Sequence, residues 1–372
     1  MGSPRRDLLA LVPLALLAGV ACAPLRVGTA PVVASAPADG RFWPGETWER
    51  VAAPRELGWS PEKLAIARAQ AATLHTAAVV VVVGGKVLDE WGQTATRYNL
   101  HSMRKSLLSA LYGVHVRAGR VDLTRTLAQL GIDDNEPSLD AAEKQATVGD
   151  LLRARSGVYH PALYETAAMK AARPPRHSHP PGTFWYYNNW DFNALGTILE
   201  RAARNSVFRE FEERIALPTQ MQDYRVEDGS YVTGPDSVYP AYPFRMSARD
   251  LARFGLLFLR HGAWRDRQLI PADWVAESTT AWSEVGSSGF AAGAGGYGYL
   301  WWVAVRGQHF PGVTLPEGSY SARGAGGHFV VVIPAYDLVL VHRVDTDVEG
   351  QAVSVTDFAR LLELVLEARE GR

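Results

Sequence analysis

Residues Ala77 to Val83 carry no polar side chain and end in five consecutive valines. Side chains branched at Cβ are stiff and fit a pleated strand better than a helix, so this run is expected to be a β-strand. Gly84-Gly85 follows, and Lys86 to Trp91 resumes a strand-like pattern. Two glycines between two such runs predict a hairpin with a tight turn. Upstream, Pro61 to Leu74 reads as a helix, with Ser60 as its N-cap, Pro61 at the first helical position and Glu62 in the acid-favouring first turn. A helix and a hairpin therefore open the folded body, and the chain is not an all-helical bundle.

The hairpin leads into Ser102-Met103-Arg104-Lys105, which opens a long apolar run. Helical residues three apart share a face, so the Ser102 hydroxyl and the Lys105 amine are expected to meet. A serine hydroxyl is a weak nucleophile until a neighbour takes its proton, and lysine can do so only where its surroundings free the amine. Arginine cannot. Of 38 Lys+Arg only five are lysines, at 63, 86, 105, 144 and 170, so a lysine three residues after this serine is informative. A second Ser-x-x-Lys, Ser60 to Lys63, is accounted for by helix capping.

Charge and cysteine usage narrow the function classes. A formal net charge of -1 supplies no long-range field for nucleic acid or an anionic membrane surface. The ten histidines show none of the spacings of a metal site, so neither a metal nor another cofactor is expected. Arg5-Arg6, the apolar stretch Leu8 to Val20 and the small residues Gly19 to Ala23 predict an export signal over 1–22. Cys22, the single cysteine, lies where a bacterial lipoprotein signal places its acylated residue. Cleavage after Ala21 and a lipid anchor on Cys22 are the expectation, with cell-envelope or periplasmic localisation. Arg5-Arg6-Asp7-Leu8-Leu9 loosely resembles a twin-arginine signal. Residues 23–50, rich in Ala, Pro and Val, read as a tether.

Beyond Ser102 the signals are mostly helical. Thr147 to Ala154, Asn193 to Ala203 and a helix capped by Ser247 and ending near Arg260 stand out. Strand signals return at Tyr297 to Val303, His328 to Ile333 and Leu338 to Arg343, and Val355 to Ala368 closes as an amphipathic helix. The order predicts an α/β fold: an antiparallel sheet flanked by N- and C-terminal helices, built from 51–100 and 283–372 and interrupted by a helical insertion over 101–282. Two further segments carry chemistry. Tyr187-Asn188-Asn189 lies in a turn-rich stretch before a helix, where a phenol near a lysine cation is expected to have a lowered pKa and shuttle protons, and an amide to orient a partner. Gly324-Ala325-Gly326-Gly327-His328 enters a strand, and glycines there signal the close approach of a backbone or a ligand. The glycine-rich stretch Gly286 to Gly296 suggests a loop over the cleft.

Taken together, the three segments resemble the serine β-lactamase and penicillin-binding-protein-like superfamily, in its branch of class C β-lactamases, esterases and 6-aminohexanoate-dimer hydrolases. Ser102-x-x-Lys105 matches the first motif and Tyr187-x-Asn189 the second, while Gly324-Ala325-Gly326 takes the place of the Lys/His-Thr-Gly third motif. The resemblance implies an acyl-enzyme mechanism. Ser102 attacks, Lys105 and Tyr187 move the proton, and Asn189, Gly324, Gly326, Gly327 and His328 contact substrate. Gly324 lacks the cation that relatives use to hold a substrate carboxylate, and Arg323 is expected to face the other side of its strand. A small carboxylic ester or amide is therefore favoured over a β-lactam or a D-Ala-D-Ala stem. A penicillin-binding peptidase and a non-catalytic envelope-binding protein are the alternatives.

Overall fold

The five valines lie in the second strand from one edge of an eight-stranded sheet, and all five are buried. The computed structural model describes residues 41–285 and 293–370, all within one compact unit. The export signal, Cys22, most of the tether and most of the Gly286–Gly296 stretch lie outside the described residues. Helix α1 (Pro61–Ala71) precedes strands β1 (Thr76–Val83) and β2 (Lys86–Gly92). Helices α2 (Arg104–Arg117), α3 (Val148–Leu152), α4 (Asn189–Ala203) and α5 (Ala248–Leu259) follow. Strands β3 (Ser283–Glu284), β4 (Gly296–Tyr297), β5 (Trp302–Val303), β6 (Tyr320–Gly324), β7 (His328–Ile333) and β8 (Leu338–Val344) complete the sheet before α6 (Val355–Glu367). The strand order is β2-β1-β8-β7-β6-β5-β4-β3, antiparallel throughout.

The hairpin turn forms as its glycines require. Gly84 and Gly85 have φ of 60° and 83°, the left-handed region that matches the twist of two-residue hairpins. Alternate valines of β1 then serve two cores. Val79, Val81 and Val83 pack with α1 and α6, whereas Val80 and Val82 pack with α2, α4 and α5. Burial on both faces removes any need for alternating polarity, which is why the run reads as unbroken valine. Helix α5 approaches the sheet closely enough that a Cβ on Gly255 would lie 2.5 Å from Val339 Cγ1.

Two departures from the sequence reading bear on the site. The Tyr297–Val303 stretch is two short strands, not one. Leu300 between them adopts φ 64°, and its carbonyl accepts the Ser106 hydroxyl at 2.8 Å while its N–H donates to the Leu152 carbonyl at 3.2 Å. The strand is broken to tie the sheet to α2 and α3. Helix α4 begins four residues earlier than its periodicity suggests, because the Asn188 side chain accepts the Trp190 N–H at 3.1 Å and caps it there. This early start puts Tyr187 and Asn189 on either side of a fixed cap.

Candidate active site

The site is assembled where the chain enters α2. Asn99 Oδ1 accepts the His101 N–H at 3.0 Å, and His101 holds φ 46°, uncommon for a residue with a side chain. A 3-10 turn over His101–Met103 then leads into α2, so Ser102 lies in the first turn, where backbone N–H groups have no intrahelical acceptor. One turn on, Lys105 Nζ lies 2.8 Å from Ser102 Oγ and 2.9 Å from the Tyr187 hydroxyl. The pairing expected from helical spacing is present, and the second motif closes it from across the fold.

Burial decides the protonation of this trio. Lys105 is 1% exposed, and its Nζ sits 4.6 Å and 4.8 Å from the ring centres of Tyr187 and Phe192. Desolvation, reinforced by the Arg104 charge, holds the amine well below its ordinary pKa. Tyr187 goes the other way. Burial pushes its phenol up to about 12, so the lowered phenol pKa expected beside a lysine cation is not found. That expectation presumed a charged lysine; here desolvation weakens proton binding by the amine and holds the phenol protonated. Aromatic packing fixes the phenol in place. Trp302 stacks on Tyr187 at 5.6 Å, and Phe192 and Tyr297 meet it edge-on at 5.0 and 6.0 Å.

Asn189 faces a different task from the one expected if it held the lysine. Its Nδ2 donates to the Tyr164 carbonyl at 2.7 Å, and its buried Oδ1 has no hydrogen-bond partner. An unpartnered buried acceptor is costly, so this oxygen is available to a donor on a substrate. Asn188, between the two motif residues, donates to the Val158 carbonyl at 2.6 Å and to Asp191 at 2.9 Å. The backbone between Tyr187 and Asn189 is thereby locked.

The glycine segment contributes proximity. A Cβ on Gly324 would lie 2.5 Å from the Leu100 carbonyl oxygen and 3.4 Å from His101 Cβ. The close approach foreseen at this strand is made by the chain entering the Ser102 turn. Gly326 and Gly327, at φ 84° and 99°, turn the chain from β6 into β7 and pack against Thr346 and Val353. His328 is fully buried: its Nδ1 accepts from Arg343 Nε at 3.0 Å and its ring lies 5.3 Å from that of His101. His328 thus packs beside His101 with no exposed surface of its own. Arg323 turns toward His309 and Ser321, on the side opposite Ala322.

Several residues of the site carried no signal by type. Arg104, Tyr164 and Trp302 become relevant only through their neighbours in space. Three non-glycine residues with positive φ, His101, Tyr164 and Leu300, each attach directly to Ser102, Asn189 or α2. Backbone strain of this kind concentrates at functional sites. Asp140, Glu143 and His177 bring ligand atoms within 4.8 Å of one another, but Arg176 already spans both Glu143 oxygens at 2.9 and 2.7 Å. A cation there would have to displace a guanidinium, so these residues are poor metal ligands.

The sequence model of the beta-lactamase family matches residues 62–364, almost the whole described chain. The chain belongs to the beta-lactamase family. Solved structures of the same fold include a beta-lactamase from Mycobacterium bovis, 23% identical with a TM-score of 0.58, aligned over 82% of this chain and 100% of its own. A protein provisionally assigned as a 6-aminohexanoate-dimer hydrolase from Bacillus anthracis is 20% identical, TM-score 0.58, over 81% and 80% of the two chains. An octameric penicillin-binding protein homologue from Pyrococcus abyssi is 17% identical, TM-score 0.57, over 82% and 77%. No curated protein matches the sequence significantly. At these identities the structural likeness establishes the fold, and this family member's site must be read from its own residues.

Proposed function

We propose that this protein is an exported serine hydrolase that cleaves a carboxylic ester or amide through an acyl-enzyme on Ser102. Membership of a family of serine hydrolases supports the class, and the single observation that carries the reading is the line Ser102 Oγ, Lys105 Nζ, Tyr187 hydroxyl, at 2.8 and 2.9 Å. In its amine form Nζ accepts the Ser102 proton as Oγ bonds to the substrate carbonyl carbon. The protonated amine donates toward the Tyr187 oxygen, and the Tyr187 hydroxyl passes its proton to the departing alkoxide or amine. Water then attacks the acyl carbon, returning the proton by the same path and freeing Ser102. Positioned proton transfer contributes on the order of 10²- to 10⁴-fold. Beyond Ser321 the edge of β6 is unpaired by β5, so its amides and that of Ser102 are the candidate oxyanion donors.

The substrate preference rests on Gly324, whose missing side chain leaves no cation for a substrate carboxylate. The penicillin-binding alternative predicts covalent retention of a fluorescent penicillin at Ser102. We further propose that Cys22 is lipidated after export, supported by the signal-like residues before it; incorporation of labelled palmitate that persists in Cys22→Ala would refute the anchor. For the main reading, a fluorophosphonate probe is expected to label Ser102, and Ser102→Ala to abolish labelling. Labelling retained in that variant would overturn the assignment.

A further inference from the structure

Arg104 lies between the nucleophile and its base in sequence, and none of its surface is exposed. Among the described residues no carboxylate lies within 4.0 Å of it. Its Nη1 reaches the His101 carbonyl at 3.3 Å and its Nη2 the Asn193 Oδ1 at 3.4 Å, both long, and Nε has no partner. The guanidinium lies over the rings of Tyr164 and Tyr242, 5.2 and 5.0 Å from their centres. Buried charges are ordinarily paired, because an unpaired one is expensive to desolvate. Arg104 reaches Asn193 of α4 while Lys105 Nζ lies over the ring of Phe192, the residue before it, so the two side chains meet the same turn of that helix.

We propose that Arg104 is a positioning residue whose unpaired guanidinium keeps Lys105 Nζ in its amine form and holds the His101 carbonyl ahead of the nucleophile. A positive charge in a dry site penalises a second one nearby, so the proton of Lys105 is held less tightly while Arg104 stays charged. This agrees with the lowered Lys105 pKa, in which Arg104 follows burial as a cause. The other groups facing Lys105 do not offset the effect. Ser102 and Phe192 carry no charge, Tyr187 stays protonated with its pKa at about 12, and His101 stays neutral with its pKa down at about 4. Arginine suits this place because it remains charged where a buried lysine would not.

The inference rests on the acyl-enzyme reading, so wild-type labelling at Ser102 by a fluorophosphonate is established first; failure there removes the reading itself. The pH dependence of the acylation rate is then compared among variants. In wild type the rate falls on the acid side as Lys105 gains its proton. Removing the charge in Arg104→Met strengthens proton binding by Lys105, so that limb is expected to move up by about one pH unit. Asn193→Asp cancels the charge with a carboxylate at the 3.4 Å contact and is expected to move the limb the same way without removing the arginine. Arg104→Lys, left neutral by the same burial, is expected to move the limb with Arg104→Met. A purely structural arginine would lower the melting temperature and leave the limb unmoved. An unmoved limb in either folded charge-cancelling variant overturns the proposal while leaving Ser102 as nucleophile.

Discussion

Lys105 shows how far a single residue's chemistry depends on what surrounds it. Its spacing from Ser102 follows from the helix alone, but its amine state requires the ring of Phe192, the phenol of Tyr187 and complete burial. Substituting Lys105→Arg keeps a cation of similar reach yet, on the proposed mechanism, removes the amine that accepts the Ser102 proton. The expected loss in acylation rate is on the order of 10²- to 10⁴-fold, with the circular dichroism spectrum unchanged. Retention of more than about a tenth of the rate would mean that another base acts. Asn189 teaches the converse. Its motif suggested an amide that orients the lysine or a substrate; the Tyr164 carbonyl, on a residue at φ 65°, claims its Nδ2 and leaves Oδ1 without a partner. The residue type was legible in the sequence, but the direction in which it points was not.

At the scale of elements, the decisive contact is between β6 and the turn that carries Ser102. Glycine at 324 lets the Leu100 carbonyl come closer than any Cβ would permit. Gly324→Ala places a methyl 2.5 Å from that oxygen, against backbone that has little freedom to move. Overpacking of this kind costs about 1–3 kcal/mol, and here it would push β6 away from the nucleophile. The measurable outcome is a lower denaturant midpoint together with acylation slowed at least tenfold. A stable variant with an unaltered rate would show that β6 does not shape the site. The second such contact joins Leu300 to Ser106 and Leu152, at the cost of a break in what reads as one continuous strand. Hydrophobic pattern cannot register that break, because every residue from Tyr297 to Val303 except Gly298 is apolar or aromatic on both sides of it.

On the scale of the whole molecule, the sheet is buried on both faces and titratable groups are carried into it. His342, fully buried in β8, is held neutral, with its pKa down at about 4 through burial, against 6.5 in the unfolded chain. Above pH 6.5 both states are neutral and the residue adds no pH dependence. As pH falls from 6.5 toward 4 the unfolded state binds a proton that the folded state refuses, so stability is lost across that window. The full shift corresponds to roughly 3 kcal/mol. Urea midpoints are expected to fall between pH 7 and pH 4.5, and less so in His342→Gln; an equal fall in both would assign the acid sensitivity to other groups. The sequence by itself determined the hairpin, the helix that carries Ser102 and Lys105, the flanking helices and the two motifs that mark the family, because each is set by local spacing and backbone preference. The tertiary structure alone decided that Lys105 is dry, that Tyr187 stays protonated, that His328 is buried against His101, and that Arg104 is buried next to Lys105 with no carboxylate near it among the described residues. Those properties depend on desolvation and on charges brought close by folding, which spacing along the chain does not encode.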